Sequence, residues 1–197
     1  MIAEAEVFLL ADGAAVAVFG AIPDDRWDSM LPPVFDMPGV DQPVRLREAI
    51  NHYAYDNAWV PDMLAGWTMD EVGRGRFDGD LLGDDPAGVI RHISASATAA
   101  AGRVSDPSLL VHCSYGDCPV PDYFWQLNIA RSLTAHDVAA HIGLPYQLSE
   151  ELCRAMYEGT QPTSYIWRSF GAYREPVPVA EDATWRERFL ALTGRRV

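Results

Sequence analysis

Residues 126–143 read QLNIARSLTAHDVAAHIG. Leu127, Ala130, Leu133 and Thr134, then Val138 and His141, recur at helical spacing, and Gly143 stands where a helix stops. Asp137 and His141 are four residues apart, so they share one helical face, which is the spacing of a metal-ligand pair. A long helix with chemistry-bearing side chains near the chain's middle predicts a helical domain. The segments on either side test that reading.

Upstream, residues 2–22 (IAEAEVFLLADGAAVAVFGAI) are apolar and alanine-rich with no proline before Pro23, and predict a buried first helix. A five-proline connection follows. Pro43 then precedes VRLREAINHYAYDNAWVPDMLAG, with Leu46, Ala49, Ile50 and Tyr53 at helical spacing, which predicts a second helix to Gly66, bent near Pro61. The glycine-rich, acidic stretch 67–86 reads as a loop. Asp85 then caps a third helix, AGVIRHISASATAAAGRV. Residues 105–120 read as extended, with a short strand at Leu109–Cys113, and Pro121 opens the helix of residues 126–143. Ser149 caps a fifth helix, EELCRAMYEG, and the remainder is an arm and a short helix ending at Gly194. The expected fold class is all-α: a four-helix bundle over residues 1–145, with an additional C-terminal helix and extended arm, residues 146–197, on the same domain.

Composition narrows the function classes. The chain has 197 residues, 49% hydrophobic and 22% charged, as expected for a globular domain with a sizeable core. A net charge of −13 argues against nucleic acid as a partner, because phosphates would be repelled. No apolar run reaches the ~20 residues that span a bilayer, and MIAEAEVFLL lacks the basic start of a signal peptide. The three cysteines, Cys113, Cys118 and Cys153, form no CxxC and read as reduced thiols. Together these predict a cytoplasmic protein, monomer or homodimer, with no membrane partner.

The chain resembles the DinB-like bundle proteins related to mycothiol-dependent maleylpyruvate isomerase, in the subgroup described as metal-binding proteins. Four stretches carry the resemblance: LREAINHYAYDNAWVPDMLAG, DEVGRGRFDGDLLGDDP, SYGDCPVPDYFWQLNIARSLTAHDVAAHIG and PVPVAEDATWRERFLALTGRRV. They cover nearly the whole chain, and the second and fourth are the most specific. The resemblance implies a DinB-like four-helix bundle. It also implies a zinc-like divalent metal held by a second-helix histidine and by a carboxylate-x-x-x-histidine pair on the helix after the "GD" loop. Three ligands with an open fourth position make a Lewis-acid site able to activate a thiol or water. In the isomerase the site serves the thiol of mycothiol.

This sequence departs from that pattern. The first ligand position is His52, but the other two are Ala130 and Thr134. The family tryptophan two residues on is His136, and the next aspartate is Asp137. Alanine has no donor atom, and a neutral hydroxyl is a poor zinc ligand. His136 lies ~200° round the helix from Thr134. Asp137 and His141 fall on nearly the same face as Ala130 and Thr134 but roughly 10 Å along the axis, where His52 would have to follow to complete a displaced site. We therefore expect no cofactor, with a divalent metal (zinc) or mycothiol as the alternative. His141 otherwise reads as a partly exposed histidine in the last helical turn, favoured there by the helix dipole.

What remains for chemistry is His52, with Asp56 four residues on and within reach of its imidazole. The pair reads either as a metal-free general acid/base or as a core histidine satisfied by its neighbour. Arg131 lies in the turn of the lost ligands. Facing a cavity it could hold a carboxylate or phenolate; facing solvent it is surface charge. Tyr53, Tyr55, Trp59, Trp67, Tyr123 and Trp125 add aromatic weight that suits either a flat apolar ligand or ordinary core filling. The candidate substrate-binding set is Tyr53, Tyr55, Trp59, Ala130, Arg131 and Thr134, around a catalytic pair of His52 and Asp56. The expected function is an enzyme of specialised metabolism that isomerises or cyclises a small organic molecule. A metal- and mycothiol-dependent isomerase or transferase and a non-catalytic small-molecule binder are the alternatives.

Overall fold

The computed structural model of the chain describes residues 1–196. The helices in chain order are α1 (Ala3–Phe19), α2 (Leu46–Leu64), α3 (Met69–Val72), α4 (Pro86–Ala101), α5 (Val120–Ile142), α6 (Glu150–Thr160), α7 (Ser164–Ser169) and α8 (Trp185–Leu192). Two small antiparallel sheets accompany them among the described residues: β1 (Met30–Leu31) with β2 (Val44–Arg45), and β3 (Leu110–Cys113) with β4 (Gly116–Pro119). The fold is all-α and bundle-like, with α1, α2, α4 and α5 as its long members.

The packing order of the bundle decides where a site can form. α1 lies along α5 and also along α4, and α2 lies along α4. α2 and α5 touch only sparsely. The ring of four helices therefore has three packed seams and one loose one. α1 is the central element, touching α4, α5 and α6. That explains its composition, because a helix covered on most sides must be apolar nearly all round. Ala5, Phe8, Ala11, Ala15, Val18 and Phe19 are all buried.

The helix ends follow local chemistry. The Asp85 Oδ1 accepts from the Gly88 amide at 2.9 Å, and the Ser149 hydroxyl accepts from the Leu152 amide at 3.2 Å, capping α4 and α6 as expected. Gly143 ends α5 in the left-handed region, φ 70°. α2 has no side-chain cap. Its first amides, Leu46 and Arg47, donate to the carbonyls of Ser29 and Trp27 instead. This tie goes with the β1–β2 pairing, which the sequence reading missed. That reading also placed the whole of residues 67–86 in a loop, whereas Thr68 and Glu71 form a capping box that starts α3. α2 runs on through Pro61 to Leu64.

Residues after 145 share the core of the bundle. Leu148, Leu152, Cys153 and Met156 join the same apolar cluster as α1 and α5 residues. Arg195 closes the arm onto α5, with Nη2 2.8 Å from the Asp137 carboxylate and 2.6 Å from the Val34 carbonyl. Among the described residues, no helix is long and apolar enough to cross a membrane.

Candidate functional site

The loose seam between α2 and α5 holds a cavity of about 370 Å³, within the range that suits a small organic ligand. On α2 the wall is a stripe at helical spacing: Ala49, His52, Asp56, Trp59 and Met63, with Tyr53 beside it. On α5 it is Tyr123, Leu127, Ala130, Arg131 and Thr134. Trp59 clusters with Tyr123, while Tyr53 clusters with Leu133, so the two helices run antiparallel. The β3–β4 hairpin brings Cys113, Ser114 and Tyr115 to the Trp59 side, and the connection after β1 brings Phe35, Met37 and Val40.

His52, Ala130 and Thr134 thus face one cavity, with Asp56 beside them. The His52 side chain is 68% exposed, so it stands at the mouth of the cavity and not in the core. Its Nε2 lies 3.7 Å from Asp56 Oδ2, an ion-pair distance longer than a hydrogen bond. The Tyr55 ring lies parallel to the imidazole at 6.2 Å. Asp56 keeps 36% of its side chain in contact with solvent, but that solvent lies within a concave, aromatic-walled recess. Burial there pushes its carboxyl above the ordinary carboxylate range, opposed by the charges of His52 and Arg131.

Of the two places anticipated for it, Arg131 takes the cavity wall and not the solvent surface, but its guanidinium is already engaged. It is buried, and its guanidinium is held from behind the cavity wall. Nε donates to Asp12 Oδ1 at 3.2 Å, Nη1 to the Leu127 carbonyl at 3.2 Å, and Nη2 to the Asn57 side-chain oxygen. The Phe8 and Tyr53 rings flank it at 4.8 and 5.5 Å. Asp12 is the hub of this network. The Tyr53 hydroxyl and Asn57 Nδ2 both donate to its Oδ1 at 2.7 Å, and the Ser94 hydroxyl donates to Oδ2. One carboxylate therefore ties all four bundle helices together at the back of the cavity. Burial and the Asp12 charge raise the Tyr53 hydroxyl well above its ordinary pKa. The sequence reading missed Asp12, Asn57 and Ser94. One signal was there: Asp12 is the lone charged residue between Glu6 and Asp24.

The displaced metal arrangement is not assembled. Asp137 is bound to Arg195, and His141 Nε2 lies 3.1 Å from the Ser29 hydroxyl; neither lines the cavity. At residues 52, 130 and 134 the cavity offers one imidazole, a methyl group and a hydroxyl, a donor set that does not fit zinc. Among the described residues no group of three histidine, cysteine or acidic side chains could hold a metal ion. Cys113, Cys118 and Cys153 are free thiols. Burial and the neighbouring Cys113 push the Cys118 thiol up to about 11, so it is protonated and unreactive at neutral pH.

No family model, no curated protein and no solved structure matches the chain.

Proposed function

We propose that this chain binds a small, flat and mainly apolar organic molecule between α2 and α5, and that His52 and Asp56 act on it as an acid–base pair. The reaction class is isomerisation or cyclisation within specialised metabolism. One observation carries the reading: the loose α2–α5 seam leaves an aromatic-walled cavity with a histidine and a carboxyl of raised pKa at its mouth. In this reading Tyr53, Tyr55 and Trp59 form the aromatic wall. Arg131 stiffens that wall through Asp12. Ala130 and Thr134 widen the recess where relatives would carry bulkier metal ligands. Membership of the DinB-like bundles, with the metal site lost, is part of this reading and rests on the sequence resemblance. The donor set at residues 52, 130 and 134 gives the metal- and mycothiol-dependent reading no support.

A second reading, a binder without catalysis, is favoured by one observation: His52 is largely exposed and is not hydrogen-bonded by Asp56. The two readings are separated by capturing small molecules from a host extract on the purified protein and identifying them by mass spectrometry. The retained compound is then incubated with the wild type and with His52→Ala. The enzyme reading expects conversion by the wild type and a loss of ~10²–10⁴ in rate in the variant. Retention of a compound that is never converted selects the binder. If nothing is retained, the pocket is not a ligand site.

A further inference from the structure

Asp56 lines the α2–α5 cavity with 36% of its side chain still accessible, so a molecule in the recess can touch it. Among the described residues no N–H or O–H group hydrogen-bonds this carboxylate. His52 Nε2 stands 3.7 Å away, too far for a hydrogen bond. Arg131, the permanent cation of the lining, is engaged by Asp12 and Asn57. Burial holds the Asp56 carboxyl above the ordinary range, and what opposes the rise is the charge of His52 and Arg131, not a hydrogen bond. Around it the wall is largely aromatic, with the rings of Phe35, Tyr55, Trp59, Tyr115 and Tyr123.

We infer that the ligand is an amine: a small aromatic compound whose protonated nitrogen donates to the Asp56 carboxylate while its apolar body lies against the rings. This rests on the reading of the α2–α5 cavity as a ligand site. Two features of the wall select positive charge. A carboxylate in a recess of low polarity is stabilised by a charged donor, and aromatic faces attract a cation. The fold already uses that combination behind the wall, where the Arg131 guanidinium meets the Asp12 carboxylate and lies over the Phe8 and Tyr53 rings. An anion has no free cation of the lining to meet and is repelled by Asp56. A neutral ligand leaves the carboxylate without a counter-charge. The net charge of −13 also draws cations toward the protein. With the ammonium on Asp56, the imidazole beside it is the group left to move a proton, close to the carbon that bears the nitrogen.

The test uses three probes of one shape, titrated by calorimetry at neutral pH: 2-(aminomethyl)naphthalene, which is cationic, 2-naphthalenemethanol, which is neutral, and 2-naphthoate, which is anionic. The wild type should prefer the amine over the alcohol by roughly tenfold or more, the worth of one charged hydrogen bond, and should bind the naphthoate most weakly. Asp56→Asn should lose the preference for the amine while still binding the alcohol, and Asp56→Glu should keep it. The Asn variant removes one negative charge from a net of −13, so a general attraction of the acidic surface for cations would survive it. The inference is overturned if the wild type binds the alcohol or the naphthoate as tightly as the amine, a result that does not depend on how any variant folds. It is also overturned if the preference persists in Asp56→Asn; in both cases the cavity remains a ligand site. If none of the three probes binds the wild type, the ligand-site reading itself falls, and this inference with it.

Discussion

Asp12 and Arg131 are 119 residues apart in the chain and meet in the core, Oδ1 to Nε at 3.2 Å, with their side chains 0% and 1% exposed. Removing one partner strands a buried charge, and here it also strands the Tyr53, Asn57 and Ser94 donors. Asp12→Ala is expected to cost about 3–5 kcal/mol of folding stability, read as a lower midpoint in urea. Asp12→Leu with Arg131→Met, which removes both charges, is expected to recover much of that loss. A single substitution no more costly than an ordinary surface change would show that the pair does not hold the helices together.

The Asp56 carboxyl gives a pH dependence with a definite sign. Its folded pKa is raised above the ordinary 3.8, so the folded protein binds the proton more tightly than the unfolded chain. Stability from this group is greatest below the ordinary value and falls as pH rises through the raised one. Asp56→Asn should therefore be more stable than the wild type at neutral pH, with the difference vanishing toward pH 3. Thermal melts of both proteins across that range check it; a constant offset would contradict the assigned environment.

Residues 52, 130 and 134 face one cavity, so a three-ligand metal site can be built there. Ala130→Glu with Thr134→His should bind about one zinc per chain, while the wild type and either single variant should not. Elemental analysis after dialysis measures this, and His52→Ala in the double background should abolish it. A folded, metal-free double variant would mean that the three side chains do not converge on one point.

The thiols should separate by environment. Cys113 is partly exposed, whereas Cys118 and Cys153 are buried and their thiols are pushed up to about 11 and about 12. A neutral-pH titration with an aromatic disulfide reagent should label Cys113 first and the others only on unfolding. Peptide mapping of the labelled protein identifies the site.

The long helices were legible because each carries local information: the periodicity of α2 and α5, the caps Asp85 and Ser149, and the stop at Gly143. The β1–β2 pair was not, since two-residue strands are too short to show an alternating pattern and their partners lie across a proline-rich connection. On α2, the spacing of His52 and Asp56 showed that they share a face. How exposed that face is depends on where the segments around Phe35 and Tyr115 settle, and no local rule states that. Asp12 marked itself as a charge in an apolar run. Its partner on α5 could not be named, because a contact across 119 residues leaves no trace in either neighbourhood.

The pairing of α1 with α5 also governs how the chain reaches its fold. Most helical bundles form quickly because neighbouring helices pack as they emerge. Here the first helix finds its most extensive partner only after α2 and α4 have been made, so closing the ring pays the entropy of a long loop. Until then α1 carries a carboxylate in the middle of an apolar surface and must keep it hydrated. Collapse of α1 onto the wrong helix is thereby discouraged, since only the correct arrangement supplies the guanidinium, hydroxyl and amide donors that Asp12 needs once water has left.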